Sequence, residues 1–338
     1  MIPHLDRARE PALRARLDAQ AKPPGALGRI EDLAVQLALI SGSETPKADK
    51  AVLMVFAGDH GLTASGVAAY PASVTQAMVA TLLAGRASAN AFAAAVGADL
   101  LVVDAGVAAE LPEHPTLIRA KVAPGTRDAS VEPALTPAEV ETALGRGVAL
   151  ARAVAKDFDI LAMGEMGIGN SASAALILHR LAAAPLQDCV GLGAGHDADG
   201  FARKQAVLAR AAARSAATAP LDVLAEFGGL EITMMAGAIL GAAEAKRPVI
   251  IDGFIAGAAA LAAVRLSPAV ADYCVFAHRS AERGHALMLE ALKAKPLLDL
   301  DLRLGEGTGA LLALPMVRAA ARLIADVASL DDVMSGRI

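Results

Sequence analysis

Tryptophan is absent from this sequence, and seven Phe with two Tyr make up an aromatic share of only 3% of 338 residues. The core therefore has to come from the Ala, Val, Leu and Ile of a composition that is 55% hydrophobic. Alanine-rich helices lying close on a sheet meet that requirement. The chain also lacks an excess of positive charge: Lys plus Arg number 31 against 36 for Asp plus Glu, a formal charge of −5. With no aromatic-studded basic strip either, nucleic acid is not an expected partner. Only two cysteines occur, Cys189 and Cys274. They are far apart and each sits in an apolar, strand-like run, which points to buried free thiols rather than a disulfide or metal pair. A mean hydropathy of +0.47 raises the question of a membrane, but no apolar, charge-free run approaches the roughly 20 residues of a spanning helix. Gly253–Val264 is bracketed by Asp252 and Arg265, and Ile232–Ala243 by Glu231 and Glu244, so both read as buried helices. The opening M-I-P-H-L-D-R-A-R-E has no apolar centre of a secretory signal, and a cytoplasmic location is the expectation.

Short apolar runs, by contrast, are plentiful. A-V-L-M-V-F at 51, D-L-L-V-V-D at 99, D-I-L-A-M-G at 159, D-C-V-G-L-G at 188, R-P-V-I-I-D at 247 and D-Y-C-V-F-A at 272 are separated by longer Ala/Leu stretches with helical spacing. Continuous apolarity suits strands buried on both faces. The alternation predicts an α/β fold with a doubly wound, Rossmann-like parallel sheet. Before it, Leu27, Ile30, Leu33, Ala34, Leu37 and Ile40 share one helical face after a K-P-P-G turn. Three segments are expected: 1–45 as the N-terminal part of a small helical domain, 46–300 as the large α/β domain, and 301–338 returning to the small one.

In open α/β sheets ligands bind beyond the carboxyl ends of the strands, and here those ends carry most of the small and polar residues. They read G-D-H-G (58–61), D-A-G (104–106), G-E-M-G-I-G-N-S (164–171), G-L-G-A-G-H-D (191–197), D-G-F-I (252–255) and A-H-R-S-A-E (277–282). Several such turns converging on one edge favour a ligand cleft. The loop at 164–171 runs from a strand into a helix, and its backbone N–H groups suit a phosphate. A tight turn capped by Asn170 or Ser171 explains the same residues. No Lys follows the last glycine, so it is not a nucleoside-triphosphate loop, and the spacing departs from the dinucleotide fingerprint. Lys204 offers a second phosphate contact. Asp59, His60, His278 and Glu282 supply titratable groups, but no H-x-x-x-H or carboxylate cluster has metal spacing, and no G-x-S-x-G elbow is present. Positioning roles for Asp59 and His60, and neither metal nor cofactor, are the expectation.

One acid stands apart. In L-R-L-G-E-G-T-G-A, Glu306 lies between two glycines that leave little bulk around it. It reads either as an acid open to a ligand or as a first-turn acid of a helix through Leu312, Met316, Ala319 and Leu323.

Taken in order, K-P-P-G-A-L-G-R-I-E-D-L-A at 22, F-A-G-D-H-G at 56 with the following G-V-A-A-Y-P-A-S-V-T, and G-E-M-G-I-G-N-S at 164 resemble one known family. D-G-F-I at 252, H-R-S-A-E-R-G at 278 and L-R-L-G-E-G-T-G-A at 302 extend the likeness over nearly the whole chain. The family is that of the nicotinate-nucleotide:dimethylbenzimidazole phosphoribosyltransferases of cobalamin biosynthesis. The resemblance implies a cytoplasmic homodimer that moves 5-phosphoribose from nicotinate mononucleotide to 5,6-dimethylbenzimidazole, giving α-ribazole 5′-phosphate and nicotinate. It implies Glu306 as the catalytic base, and Glu165, Gly167, Gly169, Asn170, Ser171, Gly193 and Lys204 as the nucleotide site. Tyr70, Gln76, Met78 and Leu304 fall where the acceptor base is bound.

The implied chemistry agrees with the residues. A pyridinium leaving group departs as a neutral ring and needs no general acid, so a single base suffices and no glycosidase-like carboxylate pair is required. Apolar neighbours such as Leu304 and Leu311 would raise the pKa of Glu306. The base itself stays open between dimethylbenzimidazole, benzimidazole, a purine and a phenol. A phosphosugar-binding regulatory protein, or a nucleotide hydrolase with another acceptor, would use the same phosphate loops.

Overall fold

Five of the apolar runs become strands of one parallel sheet in a computed structural model that describes residues 2–193, 195 and 197–337. They are β1 (Ala51–Gly58), β2 (Asp99–Gly106), β4 (Ile160–Met166), β5 (Val249–Ile251) and β6 (Cys274–Phe276), joined by a three-residue β3 (Leu117–Arg119). The strand order is β3-β2-β1-β4-β5-β6, with every pairing parallel. This is the doubly wound, α/β arrangement expected. A separate parallel pair, β7 (His278–Arg279) and β8 (Leu298–Asp299), stands beside it.

The helices, in chain order, are α1 (Glu10–Asp18), α2 (Arg29–Ser41), α3 (Ser73–Leu83), α4 (Ser88–Val96), α5 (Pro137–Val154), α6 (Asn170–Leu181) and α7 (Leu186–Cys189). They continue as α8 (Ala198–Arg214), α9 (Pro220–Phe227), α10 (Leu230–Glu244), α11 (Phe254–Leu266), α12 (His285–Ala291), α13 (Thr308–Asp326) and α14 (Leu330–Ser335).

Side chains of β1 alternate between two cores, as the strand period requires. Val52, Met54 and Phe56 join the larger core with α5, α6, α9, α10 and α11. Leu53, Val55 and Ala57 join the other with α1, α2, α3, α4 and α13. On the first face α5 and α10 meet with almost no side chain between them. A first side-chain carbon on Gly147 would lie 2.0 Å from the Met234 carbonyl oxygen, and one on Gly237 would lie 2.2 Å from that of Leu144. Close helix packing of this kind does the work that aromatic volume does elsewhere.

The run at 188 is not a strand. Its first residues form α7, because both edges of β4 are already taken by β1 and β5. Cys189 and Cys274 are nevertheless both buried and free. At the termini, Ala21 N–H bonds the Ala328 carbonyl at 2.9 Å and Leu330 N–H bonds that of Ala19 at 2.9 Å. The two ends of the chain are thus tied together, with α2 packed on α13.

Two stretches, Ser73–Val96 and Thr308–Asp326, are long and apolar enough to cross a bilayer by length and composition. The first is broken into α3 and α4, and the second contributes Leu311, Leu314, Val317 and Ile324 to the core.

Candidate active site

Chain order reverses between β1 and β4, the switch point at which a crevice opens beyond the strand ends. A cleft lies there, lined by Tyr70, Glu165, Gly167, Gly169, Asn170, Ser171, Gly193 and Lys204 together with Asp252, His278, Glu282, Arg303, Leu304 and Gly305. Most of the residues singled out from sequence are therefore gathered by the fold. Gln76 and Met78, on α3, are exposed and half-buried respectively and do not line the cleft. In the loop 191–197, Ala194 and His196 lie outside the described residues.

The end of β4 supplies the cleft floor. Glu165 is buried and accepts from the Asn170 side-chain amide, so the carboxyl and the first residue of α6 hold each other. Gly167 has no room for a side chain, since its first carbon would meet the Gly58 carbonyl oxygen at 2.4 Å. Ile168 N–H is held by Thr75 Oγ1 at 3.1 Å, which fixes the loop to α3. The left-handed turn at Gly169 then aims the start of α6 at the cleft, where the helix dipole favours an anion.

Lys204 arrives from α8 and is only 1% exposed. Its ammonium donates to Ser171 Oγ at 3.0 Å and to the Gly191 carbonyl at 3.1 Å. Burial pulls its pKa down to about 8, partly offset by the Glu282 carboxylate. A buried cation beside a helix N-terminus suits an anion, and a dianion placed there would restore the proton affinity that burial removes.

Glu165 shows the reverse effect. Burial, and then the carboxylates of Asp252 and Glu231, push its pKa up to about 8 against the hydrogen bonds from Asn170 and from the Glu306 backbone. The folded protein thus keeps a proton that the unfolded chain loses near the ordinary value of 4.5. The associated stability is complete below that value and fades as pH rises toward about 8. Glu165→Gln is expected to abolish this dependence, so the melting temperature of the variant should gain on wild type across that window. Parallel melting curves at every pH would contradict the assignment.

Glu306 occupies a turn of three consecutive left-handed residues, Gly305 (φ 88°), Glu306 (φ 58°) and Gly307 (φ 81°), immediately before α13. Glycine adopts this region freely, whereas Glu306 does so at a cost. The turn lies flat on β4: a first side-chain carbon on Gly164 would fall 2.8 Å from the Glu306 carbonyl. Glu306 is not a first-turn acid, since it lies one residue outside the helix cap; it is 3% exposed and adjoins Gly305 of the cleft lining. The left-handed turn directs its carboxylate inward, where Oε2 accepts from Ala89 N–H at 3.4 Å. Burial raises its pKa, the Ala89 bond opposes this, and the charge of Asp252 adds to the rise. Leu311 is fully buried, while Leu304 is 56% and Tyr70 51% exposed at the rim.

Asp59 and His60, expected from sequence to have positioning roles, and Asp252, given no role there, have these partners. His60 Nε2 meets Glu231 Oε1 at 2.6 Å deep behind the Gly167 turn, and Asp59 Oδ2 accepts from Ala108 N–H at 2.8 Å. Both serve loop positions. Asp252, directly after β5, accepts from Gly307 N–H at 3.2 Å and Ala310 N–H at 2.9 Å, and His278 Nε2 lies 3.6 Å from Oδ1, the oxygen that accepts from Ala310. The motifs flagged these residues, but only the folded chain supplies their partners.

Over residues 2–334 the chain matches the family model described as Phosphoribosyltransferase, and a doubly wound sheet with a cleft at its switch point suits that class. Among similar proteins, the nicotinate-nucleotide–dimethylbenzimidazole phosphoribosyltransferase of Cupriavidus necator is 50% identical over 330 residues, covering 97% of this chain and 95% of the relative. The one from Roseiflexus sp. is 46% identical, covering 99% and 96%. The crystal structure of CobT from Thermus thermophilus superposes with a TM-score of 0.92 at 44% identity, covering 95% of this chain and 97% of that one. The chain belongs to the nicotinate-nucleotide–dimethylbenzimidazole phosphoribosyltransferase family.

Proposed function

We propose that this protein transfers 5-phosphoribose from nicotinate mononucleotide to 5,6-dimethylbenzimidazole, releasing nicotinate and forming α-ribazole 5′-phosphate. The observation that carries the reading, beside the family, is the lining of the cleft. The cation Lys204 and the start of α6 line it, and so does Gly305, the residue next to the buried carboxylate of raised pKa, Glu306. The 5′-phosphate meets Lys204 and the α6 start, and the acceptor base approaches Glu306.

One azole nitrogen attacks C1′ as the bond from C1′ to the pyridinium nitrogen breaks. The bonding pair leaves with the pyridine ring, which becomes neutral, and no acid is needed on that side. The azole gains positive charge as it bonds, and its remaining N–H proton passes to Glu306. Burial suits the carboxylate to this step, since a higher pKa makes it a stronger base while it stays ionised above that pKa.

Direct displacement at C1′ inverts the β-nucleotide to an α-product. Nicotinate release should depend on added dimethylbenzimidazole, and NMR of the product should show the α-anomer. Release without acceptor would mark a hydrolase, and a β-product would require a covalent intermediate that this mechanism lacks.

A further inference from the structure

We propose that Asp252 is the positioning residue for Glu306, holding the left-handed turn that carries the base by accepting from the backbone on both sides of the helix start. The inference rests on Glu306 being the base.

Helix α13 begins without a side-chain cap of its own, because its capping position is Gly307. Its first amide groups then need acceptors from elsewhere. Asp252 provides them from β5, with Oδ2 on Gly307 N–H at 3.2 Å and Oδ1 on Ala310 N–H at 2.9 Å. The first of these amides belongs to the residue directly after Glu306. Thr308 Oγ1, donating to the Gly305 carbonyl at 2.8 Å, closes the turn from the other side. A strained non-glycine residue persists only when its surroundings over-determine it, and here both carboxylate oxygens of Asp252 are committed to doing so.

The groups facing Glu306 are few. Asp252 approaches from β5, Glu165 from β4 through the Glu306 backbone N–H, and Ala89 N–H from α4. The neighbour of Asp252 is His278 from β7, at 3.6 Å. Asp252 thus acts on Glu306 in two ways, by geometry and by a negative charge that raises the pKa of the base. A base works only when ionised, so its rate falls as pH drops through that pKa. Removing the charge moves the fall to lower pH.

The test is kcat and KM against pH for Asp252→Asn and Asp252→Ser, with Glu306→Gln and the melting temperature of each measured alongside. Asparagine keeps one acceptor and turns an amide donor toward the other N–H; serine is small and leaves space for relaxation if asparagine fails to fold. The expected result is a kcat lowered roughly 10- to 100-fold, the range for a misplaced catalytic group. KM for nicotinate mononucleotide should stay close to wild type, and the acid limb of kcat should shift to lower pH. Slow Glu306→Gln beside Asp252 variants with wild-type kcat and an unmoved limb overturns the positioning role alone. Lowered melting temperatures with unchanged kcat in the folded fraction overturn it equally. Glu306→Gln turning over at the wild-type rate overturns the base assignment and this proposal together.

Discussion

Glu306→Gln should lower kcat by about 10²- to 10⁴-fold, or roughly 3 to 5 kcal/mol in the barrier, the usual worth of a positioned general base. Glutamine preserves the size of the side chain, and its carbonyl can still accept from Ala89 N–H, which lies 3.4 Å from Oε2. Binding of the acceptor should therefore change less than turnover. Folding should not suffer: a neutral amide removes a charge that burial disfavours. Measured kcat for the folded variant decides the matter, with thermal melting as its companion. A rate within about threefold of wild type, far below the range for a lost general base, would return Glu306 to a purely structural role in the turn.

The second large effect concerns the phosphate. Nicotinate riboside, which lacks the 5′-phosphate, should show a kcat/KM lower than that of nicotinate mononucleotide by roughly 10²- to 10⁴-fold, since two charge-assisted hydrogen bonds are each worth about 1.5 to 3 kcal/mol. Part of the loss should appear in kcat, because binding energy from a remote group helps to hold C1′ in line. Lys204→Ala should narrow the gap between the two donors. Its ammonium is bonded to Ser171 and Gly191, so the truncation also leaves those acceptors empty, and stability has to be followed. Equal kcat/KM for the two donors would show that the α6 start does not bind phosphate.

Much of this architecture was legible from sequence because β1 is apolar throughout and β4 is apolar up to Glu165 at its cleft end, as strands buried on two faces must be. The cleft was legible for a related reason: a doubly wound sheet collects its small and polar residues at one edge. Legibility failed where local pattern and tertiary context differ. The run at 188 has a strand's composition but no vacant strand edge beside β4, and β3 has only three residues with which to announce itself. The burial of Lys204 depends on acceptors in the segments at 171 and 191, which no window around Lys204 contains. The same holds for Asp252, whose amide partners are 55 and 58 residues away, and for His60, whose carboxylate partner is 171 residues away. Glycines around Glu306 were visible as a motif; that all three residues are left-handed, and turn the acid inward, was not.

The glycine contacts between α5 and α10 bear on how the enzyme can move. Sliding of packed helices needs side chains that can exchange rotamers as the layers pass. At Gly147 and Gly237 the neighbour is a carbonyl oxygen of the other helix, with no side chain to yield. Shear between these layers is blocked, and α10 is held at a fixed axial position. Glu231, in its first turn, is thereby held at a constant depth behind the Gly167 loop. Adjustment around the cleft is left to exposed lining residues such as Tyr70 and Leu304.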